Sequence, residues 1–368
     1  LFNPSFATET SLIDPLPHQR LAVYEHMLSQ PRLRFLLADD AGAGKTIMSG
    51  LYIREMLSRR LIRRVLVVPP AGLLGNWERE LRTLFGLTFK IVRGQDAKST
   101  NPFIGPGSDR VIVSVDTLAG DRVFGRLQDP AVVPYDLVIF DECHKLSARQ
   151  EQDFTVRKTD RYKLAEALAG VEPVVARWRL GWHPTHLVLL SATPHMGKDF
   201  PYYCLWKLLE PDMLPTEDAF EAYPEEERRH HFIRRTKEEM VGLDGKPIYP
   251  TRNSDTLSYD LKAGSVSEQR LYDEVTEYIR TYYNKAKLLN RAAARFAMGV
   301  FQRRLASSTY AILCSLRRRE EKLATLIDDI RSGRLTEEQL RKLQQGLDDE
   351  DYDDFDARTA EEEEPQDA

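Results

Sequence analysis

The sequence predicts an α/β fold in which a parallel β-sheet is flanked by helices. Short runs rich in Val, Ile and Leu alternate with amphipathic stretches between residues 33 and 192. The runs show little polar alternation, which is typical of strands buried on both faces. Two polar motifs directly follow two of these runs, at the carboxyl ends of strands where open α/β sheets bind ligands.

The apolar runs predict six strands and, between them, helices. The strands are expected at residues 33–38, 65–68, 88–92, 111–115, 137–140 and 187–190. Helices are expected at residues 46–57 and 73–84. After Pro250 the strand-like runs stop, and residues 267–289, 292–314 and 336–345 have the pattern of long helices.

The predicted domains are a sheet-containing domain at residues 1–250, a helical extension at 251–346 and an acidic tail at 347–368. The net charge of −5 hides a contrast, because residues 348–368 carry −11 and the remainder carries +6. A mildly basic body permits a polyanionic partner. The tail has a composition that predicts disorder.

Composition excludes several classes of protein. No apolar run reaches the ~18 residues of a membrane span. The three cysteines lie far apart without a C-x-x-C pair, which argues against a disulfide framework or a zinc site and fits a reducing cytosol.

The first motif, DDAGAGKT at residues 39–46, predicts a phosphate-binding loop between a strand and a helix. Glycines let backbone N–H groups approach phosphate oxygens, and the amino end of a helix favours the negative charge. The predicted contacts come from Gly42, Ala43, Gly44, Lys45 and Thr46. Lys45 would neutralise the β and γ phosphates, and the hydroxyl of Thr46 would hold Mg²⁺. Asp39 stands where the pattern has its first glycine, and a chance G-K-T at a helix start is the alternative.

The second motif is the acidic pair Asp141 and Glu142, which follows the run at 137–140. Asp141 would hold Mg²⁺, and Glu142 would orient or deprotonate an attacking water. Such a pair often only caps the next helix. Together, Lys45, Asp141 and Glu142 would be the catalytic residues of nucleotide hydrolysis if the two motifs meet in space.

An ordered series of motifs resembles lobe one, a RecA-like phosphate-loop domain, of superfamily-two helicases. The resemblance is to Swi/Snf-type DNA translocase ATPases and their bacterial RapA/HepA-like relatives, over about residues 14–262. The motifs are 16–19 (LPHQ), 39–46, 65–77 (VLVVPPAGLLGNW), 113–118 (VSVDTL), 141–144 (DECH), 190–194 (LSATP) and 232–237 (FIRRTK).

The resemblance implies ATP and Mg²⁺ as cofactors and double-stranded DNA as a partner. It implies that Gln19 selects adenine and that His144 links the hydrolysis site to Ser191 and Thr193. Residues 69–74 and 114–117 would touch a DNA backbone, although ordinary strand-to-helix turns are the alternative.

Such ATPases use two RecA-like lobes, and no second strand–helix series follows Pro250. We therefore expect a fragment or a subunit, with lobe two supplied in cis or in trans and weak ATP hydrolysis by this chain alone. The helical extension could bind a protein partner, and the expected location is a bacterial or archaeal cytoplasm without membrane contact.

Two alternatives stay open at this point. One is the motor part of a restriction or phage-defence system, and the other is a non-hydrolysing ATP-binding interaction module. The basic cluster Arg234, Arg235 and Lys237 is also ambiguous, because a nucleic-acid or interlobe role and a solvated helix face are equally compatible with its sequence.

Overall fold

The computed structural model describes residues 6–151, 155–173, 175–195, 197–253, 255–256, 268–286 and 308–332. One compact unit ends at Thr251, and a second begins at Arg252. The predicted helix at 336–345, most of the one at 292–314 and the acidic tail lie outside the described residues.

A parallel sheet of seven strands, in the order β3-β4-β2-β5-β8-β1-β9, organises the first unit. An antiparallel pair, β6 and β7, stands apart from it. The strands are β1 Arg34–Leu37, β2 Val65–Val68, β3 Lys90–Val92, β4 Arg110–Val113, β5 Leu137–Phe140, β6 Ala148–Gln150, β7 Val156–Lys158, β8 His186–Leu190 and β9 Phe232–Ile233.

All six predicted strands are present, and the RecA-like α/β class is confirmed. Two boundaries were wrong by two residues, because the run predicted at 88–92 enters the sheet only at Lys90 and the run predicted at 111–115 leaves it after Val113. Ser114 instead caps a helix, and its side chain accepts a hydrogen bond from the Thr117 N–H. A serine at this position favours a cap over a continuing strand.

Helices cover both faces of the sheet and connect its parallel strands. Those of the first unit are α1 Phe6–Thr10, α2 Pro17–Leu21, α3 Lys45–Ser58, α4 Leu74–Phe85, α5 Asp96–Ser99, α6 Val115–Ala119, α7 Asp121–Leu127, α8 Asp160–Ala169, α9 Asp199–Leu209, α10 Glu217–Glu221 and α11 Glu225–His231. A π-helical segment, Ala22–Met27, continues α2.

The strand side chains alternate between two apolar layers. In β1, Leu36 belongs to one layer, whereas Phe35 and Leu37 belong to the other. All four residues of β1, β2 and β5 are buried. Burial on both faces explains why β2 and β5 are continuous apolar runs in the sequence, whereas β1 begins with the buried Arg34.

The second unit contains helices α12 Glu268–Ala286 and α13 Thr309–Arg331. Val275 and Ile312 are buried against each other, with Leu271, Tyr278 and Leu316 packed around them. Helical structure in this region agrees with the sequence pattern. None of the helices among the described residues is both long and apolar enough to cross a membrane.

Candidate nucleotide site

The sheet order brings three motif-bearing loops to one edge. Strand β8 lies between β1 and β5, and all three run parallel. The phosphate loop follows β1, Asp141 and Glu142 follow β5, and Ser191 follows β8. The carboxyl ends of parallel strands meet at the same edge, so segments far apart in sequence become neighbours.

Two glycines give the phosphate loop its shape. Gly42 has φ of +79° and Gly44 has φ of +87°, a region that glycine adopts without steric cost. A Cβ on Gly44 would also lie 2.3 Å from the Gln19 side-chain nitrogen. The next residue, Lys45, begins α3, so the loop leads directly into a helix amino end.

Lys45 points back across the phosphate loop. Its Nζ donates to the carbonyl oxygens of Asp39 at 2.8 Å and Asp40 at 3.2 Å. Burial lowers the pKa of Lys45, and the carboxylates of Glu142 and Asp141 act in the opposite direction. This influence of both carboxylates agrees with the sheet order, which places the phosphate loop and the acidic pair at the same edge.

Two hydrogen bonds hold the Asp141 carboxylate. Its Oδ1 accepts the Glu142 backbone N–H at 2.8 Å, and its Oδ2 accepts the Trp77 indole N–H at 2.8 Å. Burial raises the pKa of Asp141, while these two hydrogen bonds oppose that rise. The next residue, Glu142, has φ of +49°, which is uncommon for a residue with a side chain and recurs at functional sites.

His144 joins the acidic motif to the loop after β8. Its Nδ1 lies 2.9 Å from Ser191 Oγ and 3.2 Å from Glu142 Oε2. The same serine oxygen accepts the Thr193 backbone N–H at 3.1 Å. Burial lowers the pKa of His144, which favours the neutral ring. His144 thus contacts Ser191 directly and Thr193 only through Ser191, and its role in linking the hydrolysis site to both stays a prediction.

Gln19, which is expected to select adenine, and its neighbour His18 both contact the phosphate loop at Ala43. Gln19 Nε2 donates to the Ala43 carbonyl at 3.0 Å, and its Oε1 accepts the Leu16 N–H at 3.0 Å. His18 Nε2 lies 2.9 Å from the same Ala43 carbonyl. A side-chain amide has two N–H groups and two oxygen lone pairs, so one of each remains for a base. Adenine selection by Gln19 stays a prediction.

A buried ion pair that we did not predict anchors the start of the loop. Arg235 donates to Asp39 Oδ2 at 2.6 Å and to Oδ1 at 3.2 Å, and its backbone N–H donates to the same Oδ1 at 2.9 Å. It also bonds the His18 carbonyl at 2.9 Å. The Asp39 side chain is fully buried. Asp39, which stands where the first glycine was expected, is therefore the anchor point for Arg235.

The predicted basic cluster separates into different environments. Arg235 belongs to the buried pair, so a solvated helix face was the wrong alternative for it. Lys237 lies over the loop, with its backbone N–H donating to Asp40 Oδ2 at 3.2 Å and its amine 5.2 Å from the Tyr249 ring centre. Arg234 is exposed.

The segments expected to touch DNA adjoin each other. The Val115 N–H donates to the Pro69 carbonyl at 3.0 Å, which joins 114–117 to 69–74. They follow the neighbouring strands β4 and β2, at the same edge of the sheet as the phosphate loop. DNA contact by these residues stays a prediction.

The donor set at this edge fits Mg²⁺ bound together with a nucleotide. Thr46 provides a hydroxyl next to Lys45, and Asp141 provides one carboxylate. Mg²⁺ in nucleotide sites takes one or two such protein ligands, phosphate oxygens and water. The described residues contain no group of three or more His, Cys, Asp and Glu able to hold a metal.

Comparison with known proteins identifies the family. Residues 12–195, half of the chain, match the family described as "Type III restriction enzyme, res subunit". The uncharacterized ATP-dependent helicase YqhH of Bacillus subtilis (strain 168) is 28% identical over 340 residues, which cover 89% of this chain and 52% of YqhH. The chain belongs to this restriction-enzyme subunit family, and its similarity to YqhH is a similarity to an ATP-dependent helicase.

The chain is also similar to a second curated protein and to a solved structure. The RNA polymerase-associated protein RapA of Stutzerimonas stutzeri (strain A1501) is 33% identical over 213 residues, which cover 56% of this chain and 20% of RapA. The Sulfolobus solfataricus SWI2/SNF2 ATPase core in complex with dsDNA aligns with a TM-score of 0.49 and 16% identity, over 88% of this chain and 67% of that one. The chain thus spans about half the length of YqhH and a fifth of RapA.

Proposed function

We propose that this chain is the ATP-binding lobe of a DNA-dependent ATPase that moves along double-stranded DNA. The observation that supports this most is that the sheet order brings the loop of Lys45 and the pair Asp141 and Glu142 to the same carboxyl edge. A phosphate-binding lysine beside a paired carboxylate is the arrangement that nucleotide hydrolysis requires.

Each residue has a defined part in the proposed reaction. On ATP binding, Lys45 leaves the Asp39 and Asp40 carbonyls and neutralises the β and γ phosphates. Glu142 orients the attacking water and accepts its proton, and His144 holds the Glu142 carboxylate in place. Thr46 and Asp141 would hold Mg²⁺, which when bound offsets charge that develops on the phosphates.

A second RecA-like lobe, in cis or in trans, completes the proposed motor. An arginine from that lobe would stabilise the transition state, and such residues are worth about 10³–10⁵ in rate. We therefore propose that this chain alone binds ATP but turns it over slowly. With both lobes present, closure on ATP and reopening after hydrolysis would move the DNA contacts at 69–74 and 114–117 in steps.

The test compares ATP turnover with and without duplex DNA, for the chain alone and for the chain supplied with a second lobe. We expect DNA stimulation only in the two-lobed protein. Glu142→Gln should lower turnover by about 10²-fold or more while nucleotide binding persists, because the amide is a poor base. Glu172→Gln is the matched control, since that side chain is 86% exposed. Turnover at the background level, with no stimulation by DNA and no further loss in Glu142→Gln, would instead indicate a non-hydrolysing interaction module.

The motor of a restriction or phage-defence system is the second candidate. The description of the matched family, a restriction enzyme subunit, favours it. Both candidates use the same ATP site, so the DNA-stimulated turnover assay tests their shared part. Cleavage of duplex DNA by the two-lobed protein with its natural partners would separate them.

A further inference from the structure

Trp77 connects the carboxylate of Asp141, the proposed Mg²⁺ ligand, to helix α4. It is 2% exposed and packs in the same apolar layer as Leu81 and Phe85, which lie on the same face of α4. At the same time, its indole N–H donates to Asp141 Oδ2 at 2.8 Å. A buried indole N–H needs an acceptor, and here that acceptor is a side-chain carboxylate, so the ring both fills the core and holds Asp141.

We propose that Trp77 is a positioning residue, which fixes the Asp141 carboxylate for Mg²⁺ and couples it to the turn where α4 begins. This inference rests on the proposed ATPase function of the same site.

Geometry supports the positioning role. The Glu142 N–H holds Asp141 Oδ1, and Trp77 holds Oδ2, so the two bonds together fix rotation of the carboxylate about its bond to Cβ. Each carboxylate oxygen has two lone pairs, and one on each oxygen stays available for the ion or its water. Removing an outer hydrogen-bond partner of a metal ligand commonly weakens metal binding about 10- to 100-fold.

The start of α4 supports the coupling role. The helix begins at Leu74, directly after a 3-10 turn at Ala71–Leu73, and this turn lies within the proposed DNA-contact segment 69–74. Trp77 is three residues beyond Leu74, which is less than one helical turn. A DNA contact that moves this turn would therefore move the indole and, through its hydrogen bond, the Asp141 carboxylate.

The experiment measures nucleotide binding rather than turnover. Binding of a fluorescent ATP analogue is titrated with Mg²⁺ for the wild-type chain, Trp77→Phe and Trp178→Phe. Trp178 is the matched control, because it is 3% exposed and its ring packs on Phe124 at 5.0 Å between centroids. Both substitutions remove the same atoms from the core, but only Trp77→Phe removes a hydrogen bond to Asp141.

The expected result is that Trp77→Phe needs about tenfold more Mg²⁺ for half-maximal binding, while Trp178→Phe behaves as wild type. Nucleotide affinity without Mg²⁺ should be equal in all three. Equal Mg²⁺ requirements for the two variants would overturn the positioning role. If the nucleotide affinity of the wild-type chain does not change when Mg²⁺ is added, the result would instead contradict the proposed function itself.

The coupling is tested by repeating the titration with saturating duplex DNA. DNA should shift the Mg²⁺ midpoint of the wild type and leave that of Trp77→Phe unchanged. A wild-type midpoint that DNA does not move would overturn the coupling.

A measurement on the wild-type chain covers the case that Trp77→Phe does not fold. The indole N–H signals are followed by NMR during addition of Mg²⁺ and ADP. The Trp77 signal should move and that of Trp178 should not; a static Trp77 signal would contradict the proposal.

Discussion

Replacing Arg235 with Met should destabilise the first unit strongly, because it leaves the Asp39 carboxylate buried without its partner. Removing one member of a buried ion pair costs about 3–5 kcal/mol. The Asp39 side chain is fully buried and that of Arg235 is 17% exposed, so we expect the lower end, about 3 kcal/mol. Such a loss is a large part of the ~5–15 kcal/mol that stabilises a typical domain.

The assay is urea unfolding followed by circular dichroism, with Arg234→Met as the control. Arg234 is the preceding residue and is exposed, so its substitution should cost less than about 0.5 kcal/mol. Adding Asp39→Asn to Arg235→Met removes the unpaired charge and should restore part of the loss. An Arg235→Met protein as stable as Arg234→Met would refute the reasoning, and so would additive effects in the double variant.

Two further predictions concern packing and pH. Gly50→Ala in α3 should lower the free energy of unfolding by about 1–3 kcal/mol, measured by thermal unfolding, because its Cβ would lie 2.2 Å from the Phe85 ring. Gly75→Ala in α4 should instead raise the free energy of unfolding by about 0.5–1 kcal/mol, because the space around its Cβ is open. Equal effects of the two would contradict this packing. His186 Nδ1 accepts the Leu33 N–H at 3.1 Å, and burial lowers the pKa of His186. Its contribution to stability should therefore be complete above pH ~6.5 and decline as the pH falls towards its folded pKa, so His186→Asn should flatten the acid side of the stability profile. If His186→Asn has the same dependence of stability on pH as the wild type, the predicted role of His186 is contradicted.

The sequence was most informative where burial is uniform. The strands at Val65–Val68 and Leu137–Phe140 match their apolar runs, because both faces of the central sheet are covered. The hairpin of Ala148–Gln150 and Val156–Lys158 was not predicted, since its polar, largely exposed residues give no such pattern. Strand β9 has only two residues, too few for any periodicity.

The site was predictable as motifs but not as contacts. Lys45, Asp141 and Glu142 follow from loop and strand patterns that are local in sequence. The bonds from Trp77 to Asp141 and from Arg235 to Asp39 span 64 and 196 residues. Trp77 has the spacing of a core residue on α4, and nothing in its local sequence reveals the carboxylate. The aspartate in place of a glycine was the one available signal for the Arg235 pair.

The ion pair of Asp39 and Arg235 sets a minimum length for any functional fragment of the first unit. The family signature ends at residue 195, yet the phosphate loop receives Arg235, the Lys237 backbone and the Tyr249 hydroxyl from beyond that point. A shortened protein that ends at residue 195 would keep the whole sequence of the phosphate loop but lose the contacts from Arg235, Lys237 and Tyr249 that hold it. Designers of minimal ATP-binding modules from this family should therefore place the cut after Tyr249.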